Sequence, residues 1–98
     1  MKRFIWNPEK DEWLKAHRGI GFLSIVAKLE VGEVLDTLAH HDKGRYAHQN
    51  IYVVEIEGYA YYVPFVEAGE RVFLKTLYPS RKATKKYLPK GPLQDEAH

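Results

Sequence analysis

The residues of this chain best suited to chemistry are its histidines and a run of late cations. Cleaving an RNA phosphodiester without a metal needs three things. The attacking 2′-OH must lose a proton, the 5′-oxygen must gain one, and the phosphorane needs cations around it. Histidine is the side chain that exchanges protons near neutral pH. His17 follows Lys15 and stands beside Arg18, where a first helix should end. His40, His41 and His48 share a polar stretch with Asp42 and Arg45. His17, His48 and Lys15 are therefore proton-transfer candidates. Each has a plainer reading: a histidine in a last helical turn complements the helix dipole, and loop histidines are often only solvated.

The cations concentrate between residues 71 and 90. Arg71, Lys75, Arg81, Lys82, Lys85, Lys86 and Lys90 stand there with no acid, a charge of +7, whereas residues 1–70 carry −3 and the last eight −2. A basic block on a near-neutral body is the footprint of a nucleic-acid binder, or else a solvated helix face. Arg81 and Lys82 fall in the first turn of a predicted helix, where the dipole disfavours cations. That local cost is understandable if they meet phosphate, which arginine grips with two hydrogen bonds. Lys75 lies in the strand before it, predicted to share a face with Phe73 and Leu77, so it either snorkels to a rim or lines a site. Tyr78 and Tyr87 flank the junction and suit base stacking. Arg45, Lys82, Lys85 and Lys86 complete the expected RNA-binding set. A metal site from His40, His41, Asp42 and His48 is a weaker reading, because neighbouring residues seldom reach one ion and the two-histidine helical spacing is absent. No cofactor is expected.

These side chains must be positioned by a small set of elements. Phe4-Ile5-Trp6 reads as a short strand. Asn7 as N-cap, Pro8 at the first helical position and Gly19 as terminator bracket a helix to about Arg18. Phe22, Ile25, Val26 and Leu29 form one apolar stripe, predicting a second helix over 21–29. A short strand is weakly signalled near Val34, Leu35 and Leu38. Ile51 to Glu57 alternates, Glu57-Gly58 marks a tight turn, and further strand runs cover 59–66 and 71–78. Pro64 cannot donate to a ladder and reads as a bulge or a strand end. Ser80 caps a short helix from Arg81 to about Tyr87, which Pro89 ends. The expected fold is α+β: a short N-terminal strand, two helices, a three-stranded or larger antiparallel sheet with the helices on one face, and a short C-terminal helix. One domain over 1–88 with a loose tail over 89–98 is expected.

Composition narrows the classes. Hydrophobic residues make up 45% and charged residues 29% of the 98, an ordinary globular balance. There is no cysteine, so disulfides, thiolate zinc sites and cysteine nucleophiles are excluded. No stretch approaches the roughly 20 apolar residues of a membrane span. Lys2-Arg3 meets Asn7, Pro8, Glu9 and Lys10 too soon for a secretory signal. A soluble cytoplasmic chain is the expectation.

Two segments together resemble a known family. Phe4-Ile5-Trp6-Asn7-Pro8-Glu9-Lys10, followed by Lys15-Ala16-His17-Arg18-Gly19-Ile20-Gly21-Phe22, is similar to the opening of BrnT-type toxins. Pro79-Ser80-Arg81-Lys82-Ala83-Thr84-Lys85-Lys86-Tyr87 resembles their closing helix. The resemblance spans about residues 3–88 and marks a divergent member, since Asn7 stands where the family has Asp and the middle of the chain differs. It implies a RelE-superfamily fold and a metal-independent endoribonuclease. In such a type II toxin–antitoxin system the toxin is neutralised by an antitoxin protein encoded beside it. Lys15 and Arg81 match family motif positions best. An inactive RNA- or protein-binding module of the same fold is the alternative. So is an adaptor that takes up a partner segment along a sheet edge.

Overall fold

The structure, a computed structural model, describes residues 2–39, 44 and 49–89. The chain opens with β1 (Arg3–Trp6) and continues through α1 (Pro8–Arg18), α2 (Phe22–Glu30), β2 (Asp36–Ala39), β3 (Gln49–Ile56) and β4 (Tyr59–Ala68). It closes with β5 (Arg71–Leu74), β6 (Tyr78–Pro79) and α3 (Arg81–Tyr87). The architecture is α+β. The strands form one sheet in the order β1-β5-β4-β3-β2, with β6 also on β4; among the described residues only β1 and β5 pair in parallel. Among the described residues, no helix is long and apolar enough to cross a membrane.

The first helix forms as its caps dictate. Asn7 Oδ1 accepts from the backbone N–H groups of Glu9 and Lys10, at 2.7 and 3.3 Å. Gly19 takes the left-handed conformation at φ 73° and closes the helix through its N–H on the Lys15 carbonyl. In α2, Phe22 and Ile25 of the predicted stripe are fully buried, and Val26 and Leu29 pack against the same core. At the β3–β4 hairpin both Glu57 (φ 53°) and Gly58 (φ 85°) are left-handed, as a two-residue turn with the sheet's own twist requires.

Alternation along the strands divides the core in two. Val54 and Val63 join Leu14 of α1 and Phe22 and Ile25 of α2 in the main cluster. Val53, next along β3 and so on the opposite face, packs with Ala60 and with Ala83 of α3. The expectation that all helices share one face is therefore corrected: α1 and α2 cover one face, and α3 packs on the other. A sequence stripe shows which side of a helix is buried but not which side of the sheet receives it.

The third strand run is also corrected. Phe65 pairs with Leu74, yet Tyr62 pairs with Tyr78, so residues 75–77 stand opposite only 63–64. Pro64 remains in register with Ile51 of β3. Its carbonyl accepts from Lys75 N at 2.8 Å, but its nitrogen has no hydrogen to return. The ladder breaks there and a bulge forms in the neighbouring strand rather than at Pro64 itself. The extra residue turns Leu77 away from Phe73 and Lys75 and into the main core, where it is fully buried.

Between α1 and α2 the chain is held by Asp11. Its Oδ1 accepts the Phe22 N–H at 2.8 Å, and its Oδ2 pairs with Lys15 at 3.2 Å. A Cβ at Gly21 would lie 2.8 Å from that Oδ1 and 2.9 Å from Lys15 Cε. Gly21→Ala should lower unfolding free energy by about 1–3 kcal/mol through overpacking. Asp11→Ala should lower it by about 1–3 kcal/mol, because a buried N–H loses its acceptor. Urea denaturation should show the double variant losing less than the sum, since removing the carboxylate also removes the clash.

Candidate nucleic-acid interface

The helix α3 has seven residues, too few to be stable alone. Its docking explains why it forms. Ser80 Oγ accepts from Ala83 N at 3.0 Å, the cap the sequence predicts. Ser80 N donates to Ala60 O at 2.9 Å. The Thr84 hydroxyl donates to Ser80 O at 2.8 Å and accepts from Ala60 N at 2.9 Å. Both backbone groups of Ala60 are thus satisfied by the strand-to-helix junction. Ala83 is buried, and the Tyr87 hydroxyl donates to Asp36 Oδ2 at 2.5 Å, tying α3 to β2.

With Ala83, Thr84 and Tyr87 turned inward, Arg81, Lys82, Lys85 and Lys86 face outward and are exposed. None of the four forms an ion pair among the described residues. Lys86 lies close enough to Asp36 to favour its carboxylate, and its Nζ is 5.2 Å from the Tyr87 ring. Lys75, exposed just before the bulge, keeps its Nζ 5.8 Å from the Phe73 ring. Tyr78 meets Tyr62 edge-on at 5.8 Å and is 36% exposed, while burial pushes its phenol up. The bulge therefore leaves Lys75 and Tyr78 on the sheet face that carries α3. The chemistry on offer is four exposed cations and one partly exposed aromatic, suited to an anionic backbone with stacked bases. The Tyr87 hydroxyl anchors α3 through its bond to Asp36.

The two α1 candidates lie on the other layer. Lys15 is held by Asp11 at 3.2 Å and Glu12 at 3.7 Å. The Asp11 hydrogen bond, with the charges of Asp11 and Glu12, keeps its ammonium above the usual lysine range, away from a general base's needs. His17 stacks on Trp13, ring centroids 4.1 Å apart. Its Nδ1 is 2.9 Å from the Trp13 carbonyl, so Nδ1 bears the hydrogen and Nε2 is the open nitrogen. His48, Arg45, Lys90 and the histidine–aspartate metal reading lie outside the described residues, as does the tail beyond Pro89. Among the described residues, no group of three His, Asp or Glu could hold a metal.

Sequence reading missed the role of Asp11. Its only signal was an acid four residues before Lys15, a pattern common on any helix surface. It also missed a cleft of about 840 Å3 at the other end of β4, lined by Lys2, Arg3, Phe4, Trp6, Val26 and Arg71 among others. That cleft also holds Glu30 and Glu70 and none of the α3 cations. Its mixed charge does not favour phosphate.

No family model, no curated protein and no solved structure matches this chain.

The Tyr87–Asp36 bond gives α3 a pH dependence. The phenol donor and the Thr37 N–H hold the Asp36 carboxyl below its usual range. The contribution of Asp36 is therefore complete above an ordinary aspartate pKa and fades as pH falls through its lowered value. Tyr87 is pushed up to about 12 by the same bond. Its contribution is complete below an ordinary tyrosine pKa of about 10 and fades as pH rises towards 12. Thermal unfolding followed across acid and alkaline pH should show Tyr87→Phe less stable than wild type at neutral pH. The difference should shrink at both extremes.

Proposed function

We propose that this protein is a ribonuclease toxin of the BrnT kind, acting on RNA in the cytoplasm and neutralised by an antitoxin encoded beside it. One observation carries the reading: α3 presents Arg81, Lys82, Lys85 and Lys86 outward with no ion pair among the described residues. The sequence resemblance at both ends of the chain adds the reaction type. Cations that neutralise phosphates supply affinity for any RNA and make it salt-dependent.

In this reading the 2′-oxygen attacks phosphorus, the 5′-oxygen leaves, and a 2′,3′-cyclic phosphate forms. Arg81 and Lys75 stabilise charge on the phosphorane, often the largest catalytic contribution. The open Nε2 of His17, or His48, exchanges the proton. Lys15 is assigned to the Asp11 clamp rather than to proton transfer. A second reading, RNA binding without cleavage, is favoured by one specific feature: Lys15 is engaged and His17 belongs to the opposite layer from α3.

Expression of the protein alone should arrest growth and fragment cellular RNA, and co-expression with the neighbouring gene product should relieve both. Arg81→Ala should abolish arrest and fragmentation while unfolding free energy stays within about 0.5 kcal/mol of wild type, as for an exposed side chain. Normal growth with intact RNA from folded wild-type protein would reject the reading. Bound but uncut RNA would select the second one.

A further inference from the structure

The outer surface of α1 carries a cluster that folding does not explain. Trp13 is 43% exposed. The His17 ring stacks on it with planes 13° apart, Lys10 Nζ lies 4.7 Å from the indole centroid, and the Arg18 guanidinium lies 5.8 Å from it. A large aromatic held half in water among basic side chains is the local chemistry of a stacking platform beside phosphate contacts.

This cluster and the start of α3 lie at the same end of the sheet. Tyr61, near the start of β4, pairs with Pro79 of β6, and the next residue, Ser80, bonds to Ala60. Arg18, the last residue of α1, is close enough to the Tyr61 hydroxyl to favour its phenolate against the upward push of burial. Among the described residues β6 pairs only with β4, so it forms an edge between the two helix layers. Arg18 closes α1 on one layer near Tyr61, and Arg81 opens α3 on the other layer just after β6.

Resting on the ribonuclease reading, we propose that single-stranded RNA crosses the sheet edge at β6, its backbone gripped by Arg81 on one side and Arg18 on the other, with a base stacked on Trp13. The strand is single because a paired base hides its face inside a duplex, whereas an unpaired base can stack on an indole. The crossing gives α1 a binding role independent of Lys15. It also places the open nitrogen of His17 along the path of the strand, which the opposite-layer arrangement alone does not.

Fluorescence anisotropy with a short 2′-O-methyl RNA, which cannot be cut by 2′-oxygen attack, tests the crossing. Wild type should bind the single strand more tightly than a duplex of the same sequence. Trp13→Ala should weaken binding about tenfold through the lost stack, with the salt slope unchanged. Arg18→Ala should weaken binding and lower the log–log salt slope by about 0.7, the loss of one phosphate contact on a single strand. Circular dichroism should show both variants folded. If Trp13→Ala unfolds, Trp13→Tyr should retain affinity and Trp13→Leu should not. The crossing is overturned if both α1 variants bind like wild type while Arg81→Ala binds weakly, an outcome that leaves the ribonuclease reading standing. Preference for the duplex overturns it too, as does loss of a protein partner rather than of RNA on changing Trp13. A wild type with no RNA affinity overturns both readings.

Discussion

One missing hydrogen shapes the end of this molecule that carries α3. Pro64 sits inside β4, paired on one side with Ile51, and on its other side it can accept from Lys75 but not donate. An antiparallel ladder needs both bonds of such a pair to continue in phase. Here the neighbour takes one extra residue before pairing resumes at Tyr78. That single residue reverses every side chain beyond it. Leu77 enters the core under α1 and α2, Tyr78 joins Tyr62 on the opposite face, and α3 follows on that face. Without the slip, alternation would have put Leu77 with Phe73 and Lys75 and directed the next residues the other way.

The two helix layers are secured by different means. On the first, α1 and α2 are joined by a buried carboxylate that replaces a missing cap: Gly21 has no side chain to offer the Phe22 N–H, and Asp11 reaches across to accept it. On the second, a hydroxyl relay through Thr84 and a phenol–carboxylate bond through Tyr87 fix α3 at its start and at its end. Lys28 adds a tie between α2 and β3, lying 3.4 Å from Glu55, whose other oxygen accepts Gly58 N at the hairpin turn. In each case a polar group is placed where backbone donors would otherwise be left unmet.

Features set by neighbouring residues were legible in the sequence. The caps at Asn7 and Ser80, the stop at Gly19, the Glu57-Gly58 turn and the α2 stripe all depend on residues within a few positions of one another. The outward run of cations on α3 followed from helical spacing once Ser80 fixed its start. What escaped was set at long range. The side of the sheet that receives α3 depends on the slip opposite Pro64, thirteen residues before Leu77 in the chain but beside the same bulge in the sheet. Lys15 carried the right signal for the wrong reason: a cation near His17 looked available for chemistry, whereas its partner Asp11 was only an acid one turn earlier. The nearness of Arg18 to Tyr61, whose strand partner is Pro79, was invisible for the same reason.

The composition of α3 is itself an argument about purpose. Arg81 with Lys85 and Lys82 with Lys86 are like-charge pairs four residues apart, each destabilising an exposed helix by about 0.2–0.5 kcal/mol. The first turn has no acid to complement the dipole. A helix held only by its own propensity would not tolerate this at seven residues. Here the cap, the Thr84 relay, the buried Ala83 and the Tyr87 anchor hold the backbone from the sheet side, so the helix does not depend on ion pairs at its outward positions. Glutamates there would satisfy the dipole and pair with the remaining lysines. Under the proposed reading, cations at all four outward positions suit an anion outside the chain, at the expense of the helix that displays them.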